Sequence, residues 1–196
     1  MKAEVFYPRV AQIFADTPHE RHRRMAHLHD DVVAWYLGRV GSITAEAAGL
    51  RCPEGRTLAQ VVGHIMEWDR YFVISAGEML AGVEWPGIMA KERYVEIDGA
   101  SGGYRTLDEF NARQAAKHAA WPWPRIQSMA VEAATALHLL FTSAGLLTTE
   151  RLEATRRYDW RVPDGPRITI PVGWFLWMVT LEHESVEHEK ELSPEA

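Results

Sequence analysis

Four segments of this chain place apolar side chains at spacings of three and four, and stretches rich in Gly and Pro divide them. That pattern restricts the chain to helices packed on helices. The first segment, about residues 18 to 39, aligns Met25, Leu28, Val32, Trp35 and Tyr36 on one stripe, with Gly38 and Gly41 as stops. The second opens on Thr57-Leu-Ala-Gln60, a capping box, and runs through His64 and Trp68 to about Leu80. A second box, Thr106-Leu-Asp-Glu109, opens a third helix that Trp121-Pro-Trp-Pro124 breaks. Helix resumes from Pro124 to about Gly145 and offers Ile126, Met129, Val131, Ala134, Leu137 and Leu140 to the core. The last helix spans about Pro171 to Leu192. Residues 1 to 17 read as an extension or a short helix, residues 82 to 105 as a long loop with room for a short turn, and residues 148 to 170, with Pro163 to Pro166, as an irregular or short extended connection. The expected architecture is all-α, one bundle domain over residues 1 to 196 with long crossovers, and such bundles seat metals or ligands on facing helices.

A chain of 196 residues buries enough surface to fold without a structural metal, so a bound metal would be functional. Cys52 is the only cysteine, which excludes disulfide frameworks, Fe-S clusters and multi-Cys zinc motifs; His and carboxylate ligands remain. With 21 Lys and Arg against 27 Asp and Glu, the formal charge of −6 argues against nucleic-acid or anionic-membrane partners. The start, MKAEVFYPRV, lacks a signal-peptide apolar core, and Pro171 to Leu181 is too short to span a bilayer, so a cytoplasmic protein is expected. There is no GxGxxG, P-loop or GxSxG motif.

The last segment begins apolar and ends in Glu-His-Glu-Ser-Val-Glu-His, residues 182 to 188. In an α-helix, residues five apart lie about 140° apart around the axis and residues four apart only about 40°. On that geometry His183 and His188 do not share an ion, and the usable pairs are Glu184 with His188 or His183 with Glu187. The first pair continues back through Leu181, Trp177 and Trp174 and forward to Leu192, the more apolar face. His64 follows an apolar turn of the second helix; packed against the last, it forms with Glu184 and His188 a two-histidine, one-carboxylate site suited to Zn, Fe or Ni.

Gly63-His64-Ile-Met-Glu-Trp68-Asp69-Arg70, the long loop, a helix near Glu109-Phe110-Asn111 and the terminal Glu184-x3-His188-x3-Leu192 together resemble the DinB-like superfamily, especially the branch of mycothiol-dependent maleylpyruvate isomerase. The resemblance runs from about residue 20 and implies a four-helix up-up-down-down bundle, a homodimer, and a divalent metal on His64, Glu184 and His188. Many relatives carry His-x3-His on the last helix; here Glu184 stands first, and a one-residue shift selects His183 and Glu187. The family implies a transferase, isomerase or hydrolase acting on a small molecule, in several branches with a low-molecular-weight thiol such as mycothiol or bacillithiol. The alternative is a metal-free bundle that hydrolyses or sequesters a reactive compound.

Arg70, or Arg156 and Arg157, are candidates for holding a substrate carboxylate. His19, His22, His27 and His29 fall around their helix and read as a solvated face; His138 reads as core or lining, and Trp121 and Trp123 as plugs at a helix corner.

Overall fold

A computed structural model describes residues 1–96, 98–163 and 165–193. The chain order is α1 (Ala3–Ala15), α2 (Pro18–Ser42), α3 (Ala45–Ala48), α4 (Leu58–Leu80), a 3-10 turn (Gly87–Ala90), β1 (Tyr94–Val95), β2 (Ser101–Gly102), α5 (Leu107–His118) and α6 (Trp123–Thr142). It continues with α7 (Thr149–Glu153), β3 (Arg157–Arg161), β4 (Arg167–Pro171), α8 (Val172–Glu182), a π-helical turn (His183–Glu187) and α9 (Glu189–Leu192). The fold is mostly helical, as the apolar spacing requires. Asp164, within the expected Pro163 to Pro166 connection, and residues 194 to 196 of the expected domain lie outside the described residues.

The capping box at Thr57 forms in both directions: Thr57 Oγ1 accepts from Gln60 N at 3.2 Å, and Gln60 Oε1 accepts from Thr57 N at 2.8 Å. These bonds satisfy amide groups that have no partner inside the helix, and they fix where α4 begins and which face it turns inward. Thr106 caps α5 through Glu109 N, but the Glu109 carboxylate turns to Arg105 N, so that box closes on one side only. Helix α6 packs against α2 and α4 through Ile126, Ala130, Ala134, Leu137 and Phe141, an inward stripe at helical spacing. Val131, expected in the core, lies off that stripe and is exposed.

Two connections hold more regular structure than expected, and the reading of His29 is corrected. Residues 148 to 170 hold α7 and an antiparallel hairpin, with Trp160 of β3 opposite Ile168 of β4. Trp160 and Ile170 turn inward from it, and Tyr158 packs on Phe175 of α8. The long loop contains the 3-10 turn and the short β1–β2 pair, which bring Tyr94 and Tyr104 onto Tyr71 and Phe110. His29 is not solvated: it is fully buried, its Nδ1 accepts from Trp177 Nε1 at 3.1 Å, and burial lowers its pKa to about 3, so it sits in the core as a neutral ring. Among the others, His138 pairs with Asp30 at 2.7 Å, and Trp123 is buried with its Nε1 donating to Ile43 O.

The chain after Pro171 positions the site. Helix α8 buries eight of its eleven residues, so it is apolar around its circumference and runs through the middle of the molecule. At His183 the backbone widens into a π turn, in which each amide reaches back five residues rather than four. Thr180 Oγ1 and Ser185 Oγ, hydroxyls on either side of the transition, donate back to Leu176 O and Leu181 O. The Ser185 carbonyl accepts from Met1 N, and Arg39 Nε ties down Leu192 O.

Candidate metal centre and its cavity

The π turn decides which side chains meet. Because its repeat is five residues, His183 and His188 project to the same side, contrary to the α-helical spacing argument that separated them. His64 of α4 completes the group: one potential ligand atom from each of His64, His183 and His188 lies within 4.8 Å of the other two. The ring centroids form a near-equilateral triangle with sides of 5.0, 5.1 and 5.1 Å. His64 Nε2 and His183 Nε2 stand 3.2 Å apart.

The environment makes these rings good donors. Burial, then the charges of His188, Arg56 and His118, lower the His64 pKa to about 3. Burial, then His64, His188 and Arg56, push His183 well below its ordinary value. Both are therefore neutral imidazoles with a free lone pair, the form that binds metal. His188 Nδ1 lies 2.6 Å from Glu191 Oε2, and Arg56 Nη2 contacts both oxygens of the same carboxylate at 2.8 and 2.9 Å. A carboxylate accepts, so Nδ1 donates and Nε2 is the nitrogen left to bind a metal; among the described residues that buried Nε2 has no hydrogen-bond partner. The chain Arg56, Glu191, His188 has the form of the outer-shell support that orients a metal-binding histidine.

Glu184 does not join this group. Its carboxyl is fully buried beside Asp69, and among the described residues neither carboxyl's oxygens have a hydrogen-bond partner. Burial pushes both carboxyls well above their usual range, and for Glu184 the neighbouring Asp69 adds to the effect. The inward face inferred for Glu184 is observed, but the π turn carries it past the histidines. Glu187, the partner considered for His183, is half exposed with Oε2 3.6 Å from His183 Nε2.

His64 lines a cavity of about 530 Å³ together with Arg51, Arg56, Gln60, Gln114 and His118. The arginines expected to meet an anionic substrate are elsewhere: Arg70 bonds Glu67, Arg156 lies near Glu84, and Arg157 donates to Thr169 O. Arg51 and Arg56 are the arginines at the cavity wall among the described residues. Trp121, expected to plug a corner, also lines the cavity, with Arg125 stacked 3.9 Å from its ring centroid. Trp68 packs against His183 and donates through Nε1 to Asn111 Oδ1 at 3.0 Å.

No family model and no curated protein matches this chain. Among solved structures it is similar to a mycothiol-dependent maleylpyruvate isomerase, with a TM-score of 0.55 at 12% identity over 83% of this chain. The two share a fold. That likeness agrees with the all-α, DinB-like fold expected from the sequence, and this chain spans 57% of the length of that isomerase chain. Among the described residues no helix is long and apolar enough to cross a membrane.

Proposed function

We propose that this protein is a metal-dependent enzyme that activates a thiol or water against a small molecule bound in the cavity beside His64. The observation that carries the reading is the convergence of three imidazoles, two of them buried, around His64, which itself lines that cavity. Three histidines with an open fourth position are a catalytic zinc ligand set, and nickel or iron also accepts imidazole nitrogen. One pair of donor atoms stands at metal-ligand spacing: with metal–nitrogen bonds of roughly 2.0–2.1 Å, tetrahedral ligand nitrogens lie roughly 3.4 Å apart, near the 3.2 Å between His64 Nε2 and His183 Nε2, and the third lies within 4.8 Å of both.

The ligand set of this reading is His64, His183 and His188, with His183 in place of Glu184. When bound, a divalent ion lowers the pKa of a coordinated thiol or water and so supplies the nucleophile. The chain's own groups do the rest. Glu191 and Arg56 orient His188, Arg51 and Gln60 line the wall of the cavity that would take the small molecule, and Trp68 packs against His183. Likeness in fold to a mycothiol-dependent isomerase favours a thiol as the co-substrate.

Elemental analysis of untagged protein after supplementation with zinc, nickel or iron tests the reading. About one metal per chain is expected in the wild type, with loss in His64→Ala, His183→Ala and His188→Ala. A wild type that takes up no metal overturns it.

A further inference from the structure

His118 lines the same cavity as His64 and belongs to a second arrangement of titratable groups, centred on Glu67 of α4. This carboxylate is completely buried yet gathers four donors: His118 Nε2 at 2.7 Å, Lys117 Nζ at 3.0 Å, Arg70 Nη1 at 3.0 and 3.1 Å, and the Tyr94 hydroxyl. Burial works against its charge, but the hydrogen bonds from His118 and Tyr94 and the charges of Arg70 and Lys117 outweigh it. Glu67 is thus an acceptor only, and the hydrogen between it and His118 belongs to Nε2. With Nε2 donating to Glu67, Nδ1 is the ring nitrogen left to carry a lone pair.

That lone pair is kept available. His118 lines the cavity that also exposes His64, and among the described residues Nδ1 has no hydrogen-bond partner. Gly63 lies under it: a Cβ there would stand 3.1 Å from His118 Nδ1, so a side chain would crowd the nitrogen. A histidine that lines a ligand cavity, with its tautomer set by a buried carboxylate and its other nitrogen unpaired among the described residues, has the geometry of a general base.

We propose that His118, oriented by Glu67, is the proton acceptor of this cavity for a protic nucleophile of the thiol class. This deepens the function proposed above and rests on it for the nucleophile's identity, while the base itself is defined by protein atoms alone. The proton of a bound R–SH moves to His118 Nδ1, and the S–H electron pair stays on sulfur. Nε2–H remains on Glu67, which stabilises the imidazolium. The thiolate attacks the electrophilic carbon, and the proton on Nδ1 passes to the group that leaves or to the carbon or oxygen that gains the electron pair. Glu67 is a positioning residue: it touches no ligand and acts through His118.

Two readouts on the full chain test this. In metal-free protein, nitrogen-15 spectra of ring-labelled histidine should show His118 protonated at Nε2 and bare at Nδ1, and Glu67→Gln should lose that fixed tautomer. A proton on Nδ1 overturns the proposal whatever the metal does. In zinc-loaded protein, thiolysis of 4-nitrophenyl acetate by N-acetylcysteine should slow about a hundredfold in His118→Gln, which can still donate to Glu67, with zinc content unchanged. Added imidazole should restore at least tenfold of the rate lost in His118→Gly, measured against its effect on wild type. An unchanged rate in His118→Gln, or no recovery with imidazole, overturns the proposal, since a purely structural histidine is not replaced by a free base. A wild type without bound zinc or zinc-dependent thiolysis instead refutes the metal reading, and the tautomer then decides this one.

Discussion

Replacing Glu67 with Gln should be among the more damaging single substitutions in the molecule, and its cost should depend on pH in a defined direction. The folded protein lowers this carboxyl from 4.5 to about 2. At 1.36 kcal/mol for each tenfold step, that difference corresponds to roughly 3 kcal/mol favouring the charged form. The amide side chain removes the charge but keeps much of the volume, and it leaves Arg70 and Lys117 without their buried partner. Both cations are partly solvated, and Lys117 retains Glu96 at 2.8 Å, so the loss should stay near that figure instead of reaching the upper range for breaking a buried ion pair. The sign follows from the depressed folded value. The stabilisation is fully present above pH 4.5 and is lost as pH falls through about 2. Urea denaturation of wild type and Glu67→Gln should therefore differ by about 3 kcal/mol at pH 7 and converge as the pH is lowered toward 2. A difference below about 1 kcal/mol at pH 7, or one that stays constant down to pH 2.5, refutes the charge assignment.

Other outcomes follow from the same contacts. Asp69 and Glu184 have raised folded pKa values, so their contribution is present below about 4 and is lost as pH rises through those higher values; Asp69→Asn with Glu184→Gln should gain thermal stability over wild type at pH 8 relative to pH 4. Glu191→Gln should weaken zinc binding about 10- to 100-fold in a chelator competition while leaving the fold intact, because it frees the His188 ring. Gly63→Ala should cost about 1 kcal/mol in thermal unfolding by displacing His118, and should alter the His118 ring signals without reducing zinc content.

The helices were legible because their signals are local. Thr57 and Gln60 mark the start of α4, and the stripe from Met25 to Tyr36 defines the buried face of α2. His64 was legible for the same reason, since the capping box fixes its phase on the helix. α-Helical geometry describes the last segment only as far as Glu182; beyond it, one extra residue in the repeat of the π turn puts His183 on the face of His188 and Glu184 beside Asp69. Nothing in the spacing of residues 182 to 188 announces that change. Glu191, three residues after His188, could have been named as its partner from helical spacing alone. Glu67 and His118 could not, because their meeting depends on how α5 docks on α4, which no periodicity within either helix encodes.

X-ray absorption at the zinc edge of the loaded wild-type protein tests the central claim most directly, because it counts the imidazoles around the metal. The account predicts three histidine rings, falling to two in His183→Ala, with no change in Glu184→Gln. Two rings and a carboxylate in the wild type, with the carboxylate lost in Glu184→Gln, would contradict it.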